Sequence, residues 1–232
     1  MSKQEIVAML RAALRDVMAE RMVAKTDKET RAARIALKRF QSQRMGGTHA
    51  DLLASSDTAA AARFFLEDLY GTHDMTQRDA DIERIVPTME RMLPATALQT
   101  IAEAILLDAL SESLDAAMAR HLGIEFDENA YVEAYRAVSL PADRERQLAY
   151  VRSVGLSLCE LVRIPLIGAT LRMMRGPAHI AGLGQLHDFL ERGFQAFKAM
   201  KAPRDFVETT IARETRIMRN LYGGVPSPFE IE

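Results

Sequence analysis

Apolar residues recur along the chain at spacings of three and four, and β-branched residues never alternate with polar ones as a strand would require. Ile6, Leu10, Leu14 and Val17 fall on one face of a helix that Ser2 and Glu5 open as a capping box. Thr26 and Glu29 repeat the box, which predicts a second helix running to about Met45 and stopping at Gly46 and Gly47. Asp57 or Thr58 caps a helix ending at Tyr70 and Gly71. Thr76 caps the next, where Ile82, Ile85, Val86, Met89, Met92 and Leu93 recur and Pro87 is expected to kink or restart the helix. A long helix from about Thr96 to Leu122 ends at Gly123, and a shorter one carrying Tyr131 and Tyr135 precedes Pro141. Pro141 opens a helix that breaks near Pro165 or Gly168; Gly176 and Pro177 open another to about Met200, and Pro203 opens the last. The pattern predicts an all-α fold, a single multi-helix bundle of about eight helices over residues 1–232, whose N-terminal pair, residues 2–45, can pack as an arm.

Composition agrees with one packed body. Hydrophobic residues make up 48% of the 232 and charged residues 27%, with no Pro-, Gly- or Ser-rich linker between halves. The charged start and the lack of a long apolar run predict neither a leader nor a membrane span, and hence a cytoplasmic protein. Cys159 is the single cysteine and lies among leucines, where it reads as a small buried hydrophobe. Net charge is −2, which excludes a globally basic nucleic-acid binder but permits a local patch. Residues 25–44 hold such a patch, seven basic residues against two acids.

Short catalytic motifs are missing. None of His49, His73, His121, His179 and His187 follows a carboxylate by three residues, which closes the usual di-iron route. No paired Cys-x-x-Cys, phosphate loop, zinc-protease motif, nucleophile elbow or EF-hand loop is present. Binding is therefore expected rather than self-contained catalysis, and no cofactor is indicated.

Three constellations remain open. Asp68, His73, Asp74, Asp79 and Asp81 can converge on a metal at a helix-turn-helix corner; alternatively Gly71 and Thr76 are caps and the acids complement a helix start, in which case Asp79 and Asp81 are worth about 1 kcal/mol each or less. Arg31, Arg34 and Lys38 form a stripe that suits phosphates, or a face that meets acids elsewhere in the molecule or on a partner. His187 occupies a core position in a seam of Ile180, Leu183, Leu190, Phe194 and Phe197, where it binds a ligand or metal or is satisfied by a hydrogen bond. Arg172 and Arg175, beside the helix start expected at Pro177, offer an anion site, and Gly176, Gly182 and Gly184 permit close helix packing.

Phe64 to Gly71, Arg78 to Arg84, Pro87, Met89, Leu93 and Pro94, with a later block from Leu186 to Phe197, resemble a pattern in uncharacterised bacterial helical proteins. That resemblance implies a helical fold over most of the chain and nothing about chemistry. The expected role is a helical binding or regulatory protein acting through self-association or a protein partner. The alternatives are a cofactor- or ligand-binding enzyme around His187 and nucleic-acid binding through residues 25–44.

Overall fold

A computed structural model describes residues 1–69 and 75–231, without the side chains of Asp68 and Leu69. Among the described residues it contains eleven α-helices, one π-helical turn at Phe65–Leu69, and no strand. In chain order the helices are α1 (Lys3–Thr26), α2 (Lys28–Thr48), α3 (Ala50–Ala54), α4 (Ala59–Phe64), α5 (Thr76–Met92), α6 (Ala95–Leu122), α7 (Glu128–Val138), α8 (Pro141–Leu161), α9 (Pro165–Ile180), α10 (Gly184–Ala199) and α11 (Pro203–Gly223).

The all-α expectation holds, while the count is eleven rather than about eight. One reason is that the segment between residues 48 and 65 folds into the short helices α3 and α4, too brief to show a full apolar period. Helix α2 runs through Gly46 and Gly47 to Thr48, because glycine weakens a helix by only about 1 kcal/mol and burial of Met45 continues its inward face. Pro87 lies on the exposed side of α5, which continues through it instead of restarting. At Pro177 no helix begins: α9 passes through it to Ile180, and the chain reverses at Gly182, whose φ of 71° is the left-handed geometry of a helix end. The break at Pro165 is as expected, and α8 and α9 meet there at 91°.

Helix α6 is the axis of the molecule. Helix α1 lies along it, flanked by α2 and α5, and α7 and α8 cover its other sides. Ile6, Leu10 and Leu14 of α1 pack with Ile82 and Val86 of α5 and Leu98, Ala102 and Ile105 of α6. A second cluster joins Leu37, Met118, Tyr131, Tyr135, Ile217 and Leu221, and a third joins Phe64, Cys159, Phe197, Phe206 and Val207. Among the described residues no single helix is long and apolar enough to cross a membrane.

Candidate functional site

Helix α6 carries Asp108, Glu112 and Asp115 at helical spacings of four and three, so the three carboxyls share a face, and that face points inward. Cations from three neighbouring helices meet it. Arg34 Nη1 and Lys38 Nζ donate to Glu112 at 2.9 and 3.0 Å, and Arg34 Nη2 also reaches Glu20 at 2.6 Å. Burial pushes the Glu112 carboxyl up, yet Lys38, Arg21 and Arg34 together hold it below the usual carboxylate range. Two members of the basic stripe thus meet internal acids, and Arg31 faces solvent.

Asp79 is fully buried. Arg21 pairs with one of its oxygens and Arg78 Nη2 with the other at 2.9 Å, and both guanidinium groups also contact Asp108. Asp79 does lie in the first turn of α5, as the helix-start reading has it, but dipole and cap terms are not all that these acids supply: both are buried, Asp81 receiving Gln77 Nε2 at 2.9 Å. Of the proposed metal corner, His73, Asp74 and the Asp68 side chain lie outside the described residues.

Where α6 approaches α2, α7, α8 and α11, the packing leaves a largely enclosed cavity of about 130 Å³. Met45, Phe65, Leu148, Val151, Phe206 and Ile211 give it apolar walls. Its polar end is formed by Gln41, Asp115, Tyr131, Tyr135 and Arg144. Gln41 Nε2 donates to Asp115 Oδ1 at 2.9 Å, and burial raises the Asp115 carboxyl above its ordinary range. Elsewhere on the wall, Arg44 Nη1 grips both oxygens of Glu214 at 2.6 and 2.7 Å, and His49 Nε2 meets the same carboxylate at 2.9 Å. Burial opposes the charge on Glu214, but the Arg44 guanidinium and the hydrogen bonds of His49 and Arg44 outweigh it and hold the group at about 2.

Arg144 differs from every other buried arginine here. It is 5% exposed, its guanidinium stacks 4.2 Å over the Tyr135 ring, and its hydrogen bonds go to Ser139 Oγ, Gln147 Oε1 and Met118 Sδ, none of them charged. A buried cation without an anionic neighbour in contact is costly, and so is a buried polar atom without a partner. Gln41 Oε1 and His49 Nδ1 on the same cavity wall are two such atoms.

None of these cavity residues stood out as a site in the sequence, although Gln41 interrupts a stripe with Leu37 and Met45, and Asp115 lies between Leu114 and Met118. A polar residue on an otherwise apolar helix face was the available signal. What could not be read was that α2, α6, α8 and α11 bring these positions together.

His187 is buried on α10 as expected, but its neighbours differ. Ile180 is 90% exposed because α9 ends there, and Leu190 also faces outward; Leu186, Phe194 and Phe197 are the buried apolar partners. His187 Nε2 meets the Leu171 carbonyl of α9 at 2.8 Å, while its Nδ1 has no hydrogen bond and faces Asp188 Oδ1 at 3.6 Å and Glu191 Oε2 at 3.9 Å. Arg175 donates to Glu191 at 2.7 Å, whereas Arg172 is exposed on α9. His179 Nε2 lies 3.1 Å from Asp188 Oδ1, and this hydrogen bond holds the Asp188 carboxyl below its ordinary range.

Comparison with curated proteins and comparison with solved structures each gave no match. Residues 20–228, which include the α6 ion network, the cavity and the α9–α10 corner, match the family described as "Domain of unknown function (DUF8198)", and the chain belongs to that family.

Proposed function

We propose that the protein binds a small organic acid in the interior cavity, with the carboxylate at Arg144 and the apolar body among Met45, Phe65, Leu148, Val151 and Phe206. The observation that carries this reading is the buried Arg144 guanidinium, which lines the cavity and, among the described residues, has no carboxylate in contact. An enclosed apolar cavity of about 150 Å³ accepts benzene, so the space here suits a body of roughly that size. Gln41 Oε1 accepts from a ligand hydroxyl or amide, and a raised Asp115 carboxyl holds a proton more readily beside a second acid. A cytoplasmic setting belongs to this reading, supported by a buried thiol, Cys159, with no second cysteine.

The test is calorimetric titration with benzoate and hexanoate against benzyl alcohol and hexanol. The acids should bind at least tenfold more tightly than the alcohols, and Arg144→Met should remove the difference. Equal affinity for acid and alcohol in the parent, or no binding of either, would sink the proposal.

A second reading is favoured by α9, where Leu166 is 73%, Met173 76% and Ile180 90% exposed. Such a row of apolar residues supports self-association through α9. Light scattering should then show a dimer that Met173→Glu with Ile180→Glu returns to a monomer; a monomeric parent at high concentration refutes it.

A further inference from the structure

The corner between α9 and α10 sets one imidazole nitrogen against two carboxylates without a hydrogen bond to either, although each carboxylate has a donor of its own, Arg175 on Glu191 and His179 on Asp188. His187 Nε2 lies 2.8 Å from the Leu171 carbonyl, and a carbonyl can only accept, so Nε2 carries a proton. The remaining nitrogen, Nδ1, then offers a lone pair in the neutral ring. It is on a side chain that is 5% exposed, has no hydrogen bond, and points at carboxylate oxygens of Asp188 and Glu191, 3.6 and 3.9 Å away. A lone pair facing two carboxylates is repulsive unless something positive stands among them. The fixed N–H to a backbone carbonyl is also the arrangement that orients metal-binding histidines.

We propose that His179, His187 and Asp188 bind a divalent transition-metal ion of the zinc class. One ring nitrogen from each histidine and a carboxylate oxygen of Asp188 lie within 4.8 Å of one another, and Asp188 Oδ1 is 3.1 Å from His179 Nε2 and 3.6 Å from His187 Nδ1. A tetrahedral zinc ion with bonds of about 2.0–2.2 Å sets its ligands roughly 3.3–3.5 Å apart, so small rotations of the exposed His179 and the half-buried Asp188 complete the set. The ion takes the place of the proton that His179 Nε2 now shares with Asp188, and that proton moves to Nδ1, the other tautomer of the neutral ring. Two imidazoles and one carboxylate suit zinc, cobalt or nickel rather than magnesium or calcium, which prefer oxygen alone.

The pairing of charges agrees with this occupant. Asp188 and Glu191 are both in reach of His187, and Arg175 pairs with Glu191 alone, at 2.7 Å, which leaves Asp188 to the ion; over the whole groove three arginines balance three acids. The backbone makes room as well: a Cβ at Gly184 would stand 2.8 Å from His179 Nδ1, so any larger residue there displaces the ring from its present position. His179 and Asp188 also line an open groove with Arg63, Glu67 and Arg192, which leaves a fourth position to water. A bound ion would clasp the end of α9 to the first turn of α10.

The experiment is titration of the chelator-treated full-length chain with zinc chloride, read by calorimetry, and with cobalt chloride, read by visible absorption. One equivalent should bind, with cobalt giving the intense bands of a tetrahedral site. His179→Ala changes an exposed side chain and Asp188→Asn a half-buried one of the same shape, and both should leave the circular dichroism spectrum intact while weakening zinc at least tenfold each. Gly184→Ala, which removes no ligand, should weaken it as well. Zinc affinity unchanged in His179→Ala and Asp188→Asn would overturn the assignment. So would nitrogen NMR showing a proton on His187 Nδ1 at neutral pH that zinc does not displace, since the corner would then be a closed imidazolium ion pair.

Discussion

Asp79 shows how far the environment of a residue can depart from what its sequence neighbours suggest. Three residues into a helix, an acid is worth a few tenths to about 1 kcal/mol through the helix dipole. Here the same carboxylate has no exposure and holds Arg21 and Arg78, which also share Asp108. Removing one charge from a buried group of this kind strands its partners, at a cost of about 3–5 kcal/mol. Asp79→Asn keeps the shape and some hydrogen bonding, so urea denaturation should show a loss of about 2–4 kcal/mol. A loss below about 1 kcal/mol would mean that solvent reaches the two arginines once the charge is gone.

Glycines separate the helix contacts that sequence suggests from those that packing imposes. Gly176, Gly182 and Gly184 look like a close-packing set, yet Gly176 has open space around it and Gly182 makes a turn. Of the three only Gly184 is closely approached, by the His179 ring, and the others lie elsewhere: a Cβ at Gly193 would stand 2.9 Å from Phe64 Cζ, and one at Gly155 would stand 3.0 Å from both methyls of Val207. Substitutions should therefore have opposite signs. Gly47→Ala fits an exposed helical position of α2 with open space around it and should stabilise by about 0.5–1 kcal/mol. Gly193→Ala must displace a buried ring where α10 meets α4 and should destabilise by about 1–3 kcal/mol. Paired thermal melts check both, and a gain at Gly193 would show that Phe64 has room to move.

For the molecule as a whole, acid is the informative perturbation, because the helices are tied together by carboxylates. Glu214 on α11 binds Arg44 of α2 and His49 at the α2–α3 junction, and it titrates at about 2 against an ordinary 4.5. A depressed folded value means that the stabilisation is complete above about pH 4.5 and disappears as pH falls toward about 2. The full effect is on the order of 3 kcal/mol, of which roughly 2 should be lost between pH 6 and pH 3. Urea midpoints at those two pH values should move less in Glu214→Gln than in the parent. An equal pH dependence in both proteins would assign acid sensitivity to other carboxylates.

Local chemistry along the chain was enough to determine the helical class, the long α6 ending at Gly123, the capping box at Ser2, and proline at the starts of α8 and α11. Those features depend on residues within a turn or two of each other, and their spacing is written in the sequence. Local order also showed that His187 falls on a buried face. Only the tertiary structure decided that Arg34 and Lys38 meet Glu112, that Asp79 is enclosed by arginines, and that Arg144 lines a cavity without an anion in contact. Arg78 adjoins Asp79 on α5, but Arg34, Lys38 and Arg21 make these contacts from other helices, up to 78 residues away. A helix's periodicity tells which face is buried, but not which helix covers that face, and the sign of the charge arriving from the covering helix determines whether a buried polar group is a strut or a binding site.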